Sequence, residues 1–162
     1  KPVIAEVAGV ATAAGCQLVA SCDLAYAGKS ARFATPGVNI GLFCSTPMVA
    51  LSRNISSKHS MEMLLTGDLI SSDKAAKIGL INKMVNDDAL QNFVLDRALK
   101  ISKKSAITLN IGKEAFYKQL DMTLAEAYDY ASNVMVKNML KLDAKEGIDA
   151  FINKRAPIWQ DK

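Results

Sequence analysis

Residues 9–37, GVATAAGCQLVASCDLAYAGKSARFATPG, read as strand, tight turn, short buried helix, strand and a loop that returns to the same place. Ala13-Ala14-Gly15 is small enough for a ligand to approach the backbone closely, and Gly15-Cys16-Gln17-Leu18-Val19-Ala20 continues as an apolar helix. The first turn of a helix carries N–H groups without intrahelical partners and the positive end of the macrodipole. It can hold an anion, or an oxygen that becomes one during a reaction. A buried turn whose small residues serve packing alone is the other reading.

Outward from this stretch the pattern stays α/β. Upstream, Pro2-Val3-Ile4-Ala5-Glu6-Val7-Ala8 is apolar almost throughout, as a strand covered on both faces should be. Glu6 is its exception and is expected to be a strand-end carboxylate with a partner. Within the stretch, Asp23 to Ala27 is a second strand, Asp23 being structural, and Arg32-Phe33-Ala34-Thr35 extends to Pro36. From Cys44 the chain turns helical. Ser45-Thr46-Pro47 starts one helix, Asn54 to Ser57 breaks it, and Gly67 closes the next. Ser71-Ser72-Asp73 caps a short helix ended by Gly79, and Leu80 to Val85 is a final strand. Leu90, Phe93, Val94, Ala98 and Ile101 follow at amphipathic spacing. Thr123-Leu124-Ala125-Glu126 is a capping box ahead of a long helix with a stripe of Leu124, Ala127, Tyr128, Ala131, Met135 and Met139. Core packing is the default for that stripe; an intersubunit face is the specific alternative.

Composition narrows the function. Half of the 162 residues are apolar, which suits one globular domain with a substantial core. The net charge of +4 is modest and the lysines are spread out, so no nucleic-acid partner is expected. Cys16, Cys22 and Cys44 form no C-x-x-C pair, and three thiols argue against a disulfide framework and for an intracellular, reducing compartment. His59 is the single histidine, which leaves little material for a metal site or a Ser-His-Asp triad; no metal is expected. The longest uncharged runs contain Gly, Pro, Asn, Gln and Thr, unlike a membrane span.

KPVIAEVAGVATAAGCQLVASCDLAYA, then FATPGVNIGL, then MEMLLTGDLIS, resembles the crotonase (enoyl-CoA hydratase/isomerase) superfamily. The similarity runs from Lys1 to the closing FINKRAPIW, and the variant GLFCSTP followed by MVALSR sets the chain with one subgroup of that family. The resemblance implies a crotonase-type ββα spiral. Residues 1–85 would be the C-terminal part of its core with half of the acyl-CoA site, and residues 86–162 a helical oligomerisation region. The N-terminal part of the core would lie upstream of Lys1. The implied partners are an acyl-CoA, with coenzyme A entering only as part of the thioester substrate and no permanently bound cofactor, and copies of the chain in a trimer or a dimer of trimers. The implied compartment is the cytoplasm of a bacterium or the mitochondrial matrix of a eukaryote.

In crotonases two backbone N–H groups hold the thioester oxygen as it gains charge, which favours the transition state over the substrate. One of them maps onto Ala14; the other belongs upstream. The two hydratase glutamates that hold water and move its protons map onto Gln17 and Gly37, so both carboxylates are absent. An amide can orient water but cannot exchange protons near neutral pH, so efficient two-glutamate hydration is not expected. Cys44, Ser45 and Thr46 bring a thiol and two hydroxyls near the implied thioester, which invites a nucleophile. Against this, His59 is the only conventional base and sits in another helix. The favoured reading has Ser45 or Thr46 capping the helix and Cys44 packing in the pocket wall. Val38, Ile40 and Phe43 would line the acyl side. Phe151 and Lys154, in the F-x-x-K-R segment, would approach the adenine and 3′-phosphate of coenzyme A, often across a subunit boundary; without the resemblance Phe151 reads as core and Lys154 as a solvated charge. The function so implied is an acyl-CoA-binding homologue of fatty-acyl metabolism. Its alternatives are a different enolate-forming reaction (isomerase or hydrolase) and a catalytically silent pseudoenzyme with a binding or interaction role.

Overall fold

Gly9 breaks the first apolar run into two strands that join different sheets. In the computed structural model, which describes residues 1–162, β1 (Ile4–Val7) and β2 (Val10–Thr12) precede helix α1 (Ala14–Ser21). Strands β3 (Leu24–Gly28) and β4 (Arg32–Ala34) follow, then a 3₁₀ turn over Pro36–Ile40. Helices α2 (Ser45–Asn54) and α3 (Ser57–Thr66), strand β5 (Ile70–Ser71), helix α4 (Ser72–Lys77) and strand β6 (Lys83–Val85) complete the sheet region. One sheet has the order β1-β3-β6 and is parallel throughout; the other has the order β2-β4-β5, with β5 antiparallel. Helices α5 (Leu90–Ser102), α6 (Ala106–Gln119), α7 (Leu124–Met139) and α8 (Leu142–Ile152) end the chain. The α/β class is as expected.

The chain divides into two compact units, Val3–Ala98 and Leu99–Lys162 with Lys1–Pro2. The division falls inside α5. The reason is packing: Leu90 and Val94 are buried with Tyr26 of β3, and Phe93 meets the Tyr26 ring edge-on at 5.2 Å. In the first unit the core gathers Cys16 of α1, Phe33 of β4, Leu51 of α2 and Met63 and Leu64 of α3, all essentially inaccessible. No helix of the protein is long and apolar enough to cross a membrane.

Local signals came out as read. Gly67 ends α3 at φ 68°, Ser71 caps α4 by accepting from Lys74 N–H at 3.2 Å, and the Thr123–Glu126 capping box is complete, with Thr123 N–H donating to Glu126 at 2.9 Å. The Asp23 carboxylate is structural, accepting from Val3 N–H at 2.6 Å. Four expectations need correction. Glu6 is mid-strand, opposite Tyr26, exposed and without a hydrogen bond or ion pair; the backbone ladder, not its carboxylate, holds it there. Leu80 and Ile81 are not part of a strand: they are buried in a turn, and pairing begins only after Asn82, whose side chain accepts from Ala25 N–H at 2.7 Å while its own N–H donates to Ala25 C=O at 2.8 Å. The stripe on α7 does not form core, since Leu124 and Tyr128 are 77 % and 69 % exposed and no residue of α7 is fully buried. Phe151 likewise is not core; it is 84 % exposed.

Candidate active site

Strands β2 and β4 run parallel and finish level, Thr12 opposite Ala34. In α/β sheets, ligands bind in crevices outside the carboxyl ends of such strands. The chain leaves β2 through Ala13 into α1 and leaves β4 through Thr35 into the Pro36–Ile40 turn. Ala13 N–H donates to Ala34 C=O at 3.0 Å and stitches the two exits together. Ala14, Gln17 and Gly37 thus issue from one end of this strand pair despite their separation in sequence.

Ala13 lies at φ 48°, ψ −116°, a conformation that residues with a β-carbon rarely adopt and that costs on the order of 1–3 kcal/mol. Such strain gathers at functional turns. It was not legible in the run of small residues, although that run is what lets the turn form. The first helical hydrogen bond joins Gln17 N–H to Ala13 C=O at 3.0 Å. The N–H groups of Ala14, Gly15 and Cys16 therefore stand ahead of the helical ladder, and Ala14 is exposed. The half-buried Gln17 side chain makes no hydrogen bond and is free to orient a water or ligand.

Gly37 was read only as a lost carboxylate; the structure adds a steric reason for glycine. A β-carbon there would sit 2.8 Å from Leu42 C=O and 2.9 Å from Cys44 Sγ. The turn doubles back so closely that Leu42 N–H donates to Gly37 C=O at 2.9 Å and Gly37 N–H donates to Cys44 Sγ at 3.3 Å. Cys44 packs against the first unit's core. The expectation that Ser45 or Thr46 caps the helix is wrong. Cys44 itself is the N-cap, without a side-chain cap bond, and Ser45 Oγ donates backwards to Phe43 C=O at 3.3 Å, because Ser45 is already helical. Its neighbour Cys16 is inert: burial pushes its thiol up to about 12, with Cys44 adding to the shift. His59 lies on α3, its Nδ1 3.9 Å from Glu62. Val38 is half-buried, whereas Ile40 and Phe43 are exposed beside Leu42, an apolar rim to the turn. Thr35, wholly buried between β4 and the turn, has a hydroxyl with no partner. No three His, Cys, Asp or Glu side chains converge to hold a metal ion.

Phe151 and Lys154 belong to the second unit. Lys154 follows the end of α8 at φ 51°, exposed, and Arg155 binds back to Glu146 at 2.6 and 2.8 Å and to Asp149 at 2.5 Å. Arg155 holds the Glu146 carboxyl down to about 2, assisted by a hydrogen bond from Ile158 N–H. Sequence reasoning passed over Arg155, and only its place in F-x-x-K-R could have flagged it.

The enoyl-CoA hydratase/isomerase family profile matches residues 1–162. Mouse enoyl-CoA hydratase domain-containing protein 3, mitochondrial, is 53% identical over 158 residues, 98% of this chain and 53% of that protein. This agrees with the subgroup to which GLFCSTP pointed. The crystal structure of the human protein of the same name superposes with a TM-score of 0.96 at 52% identity, over 98% of this chain and 62% of that one. An enoyl-CoA hydratase structure from Mycobacterium smegmatis gives 0.96 at 49% identity over the same shares. The chain thus spans about half the length of the curated relatives it matches. With a family profile covering its whole length, the chain belongs to the enoyl-CoA hydratase/isomerase family.

Proposed function

We propose that the protein binds the thioester of an acyl-CoA at the N-terminus of α1, with Ala14 N–H as one donor to the thioester oxygen, and that it is a poor hydratase. The observation that carries this is the strained Ala13 turn at the carboxyl ends of β2 and β4, which presents free N–H groups where no carboxylate follows at Gln17 or Gly37. Val38, Ile40 and Phe43 bound the acyl side, and Phe151 and Lys154 of a neighbouring copy take the adenine and 3′-phosphate end. Coenzyme A enters with the substrate, and no permanent cofactor takes part. Loss of each general acid or base removes roughly 10²–10⁴-fold from a rate. The exposed stripe on α7 supports a trimer, or a dimer of trimers, as the assembled state. The compartment of this reading is the mitochondrial matrix in a eukaryote, as in the names of the relatives, or the cytoplasm in a bacterium. Fatty-acyl metabolism is the setting.

A second reading, a pseudoenzyme that retains binding without turnover, is favoured by one observation: a side chain at Gly37 would have to push aside Leu42 C=O and Cys44 Sγ. A different enolate-forming reaction, isomerisation or hydrolysis, is the enzymatic alternative. Turnover of the full-length protein on crotonyl-CoA and a small panel of acyl-CoA esters, beside thermal melting with the same ligands, separates these. Thermal stabilisation with hydration far below that of a two-glutamate enzyme is the expected result. Rapid hydration that Gln17→Ala leaves unchanged overturns the proposal. Stabilisation with no turnover on any ester selects the pseudoenzyme.

A further inference from the structure

Helix α8 ends in a Schellman closure whose left-handed position is not glycine. Arg155 N–H donates to Ala150 C=O at 3.0 Å and Lys154 N–H to Phe151 C=O at 3.3 Å, the two bonds that define the motif. Its left-handed residue is Lys154, at φ 51°. Glycine adopts that geometry without steric penalty, and this chain uses it so at Gly67, φ 68°, to end α3. A turn needed only to stop α8 would be better served by glycine at 154. Instead a lysine is kept there, and its neighbour is pinned on three sides. Both terminal nitrogens of Arg155 engage Glu146, one also reaches Asp149, and Glu146 accepts Ile158 N–H at 2.8 Å. The planar fork of arginine suits this bidentate hold. The Lys154 ammonium has no partner, and the Phe151 ring three residues earlier is almost fully exposed.

We propose that Arg155 is a positioning residue: by clamping Glu146 and Asp149 it holds Lys154 in the left-handed conformation from which its ammonium meets the 3′-phosphate of a coenzyme A thioester. This rests on the acyl-CoA reading above. The strain at Lys154 keeps a side chain where the backbone alone favours none, and the clamp makes that conformation persistent before ligand arrives, which cuts the ordering cost of binding.

Calorimetric titration of the full-length protein with coenzyme A and with 3′-dephospho-coenzyme A tests the assignment, in the native protein and in Lys154→Gly, Arg155→Ala and Arg155→Lys. Lys154→Gly is expected to raise Tm by about 2 °C while weakening coenzyme A about tenfold and leaving the dephospho ligand unchanged. Arg155→Ala should weaken coenzyme A by roughly fivefold, again without effect on the dephospho ligand, and Arg155→Lys should recover part of that loss. An equal loss for both ligands in Arg155→Ala makes Arg155 merely structural and overturns the inference. So does undiminished coenzyme A affinity in Lys154→Gly, with the acyl-CoA reading left standing. A native protein that binds neither ligand removes that reading and the inference with it.

Discussion

Gly37 and Lys154 are opposite solutions to where a side chain is allowed. Gly37 has no left-handed backbone, so any residue could adopt its conformation, but Leu42 C=O and Cys44 Sγ stand where a β-carbon would go. Lys154 is exposed, but its backbone lies in the region that favours glycine. Space forbids a side chain at the first position, and conformation discourages one at the second. The difference teaches that glycine, or its absence, has to be read with the neighbours in view. A carboxylate side chain at 37 would have to displace its neighbours, whereas the lysine at 154 takes a left-handed backbone next to the Arg155 ion pairs on the surface of α8.

That contrast can be broken from several directions. The largest effect is expected at Gly37. Gly37→Ala should destabilise by about 1–3 kcal/mol, as overpacking does, with Gly37→Glu worse, measured by urea unfolding. Adding Cys44→Ala should return only part of the loss, because the Leu42 carbonyl remains. Full recovery would mean that the thiol alone excludes the side chain. Acid should act on the other position. The Glu146 carboxyl is held at about 2 against a usual 4.5, chiefly by Arg155. A depressed carboxylate contributes stability above its unfolded pKa and loses it as pH falls through the folded one. Trp159, the single tryptophan, donates from Nε1 to Lys103 C=O at 2.8 Å in the same C-terminal segment, whose Gln160 and Asp161 N–H groups are taken by the buried Asp143 carboxylate. Asp143 is depressed as well, first by its bond from Ser105. Trp159 emission should therefore stay constant down to about pH 4.5 and change between there and pH 2, and Glu146→Gln should shift it already at neutral pH. The smallest effect is expected at Ala13, where space and conformation are at odds in the same sense as at Lys154. Ala13→Gly should relieve strain and stabilise by about 0.5–1 kcal/mol, read as a rise in Tm.

Features carried by a few adjacent residues were legible. The helix start within Ala13-Ala14-Gly15, the cap at Ser71, the stop at Gly67 and the Thr123–Glu126 box each depend on bonds within four residues, so the local order of residue types suffices. The site was half legible. The turn and its helix were found from residue types, but the backbone strain at Ala13, the lack of room at Gly37 and the clamp by Arg155 were not. Each of those depends on atoms brought back by a turn or from another segment.

By itself the sequence determined the α/β alternation, the small-residue turn opening α1, the caps at Ser71 and Thr123 and membership of a family, because propensity, capping and motif are written in neighbouring residues. Only the tertiary structure decided that the first apolar run splits between two sheets, that the α7 stripe lies on the surface, and that a side chain at Gly37 would crowd Leu42 C=O and Cys44 Sγ. A β-carbon's clearance, a strand's partner and a side chain's exposure are set by segments distant along the chain, and no local pattern records their approach.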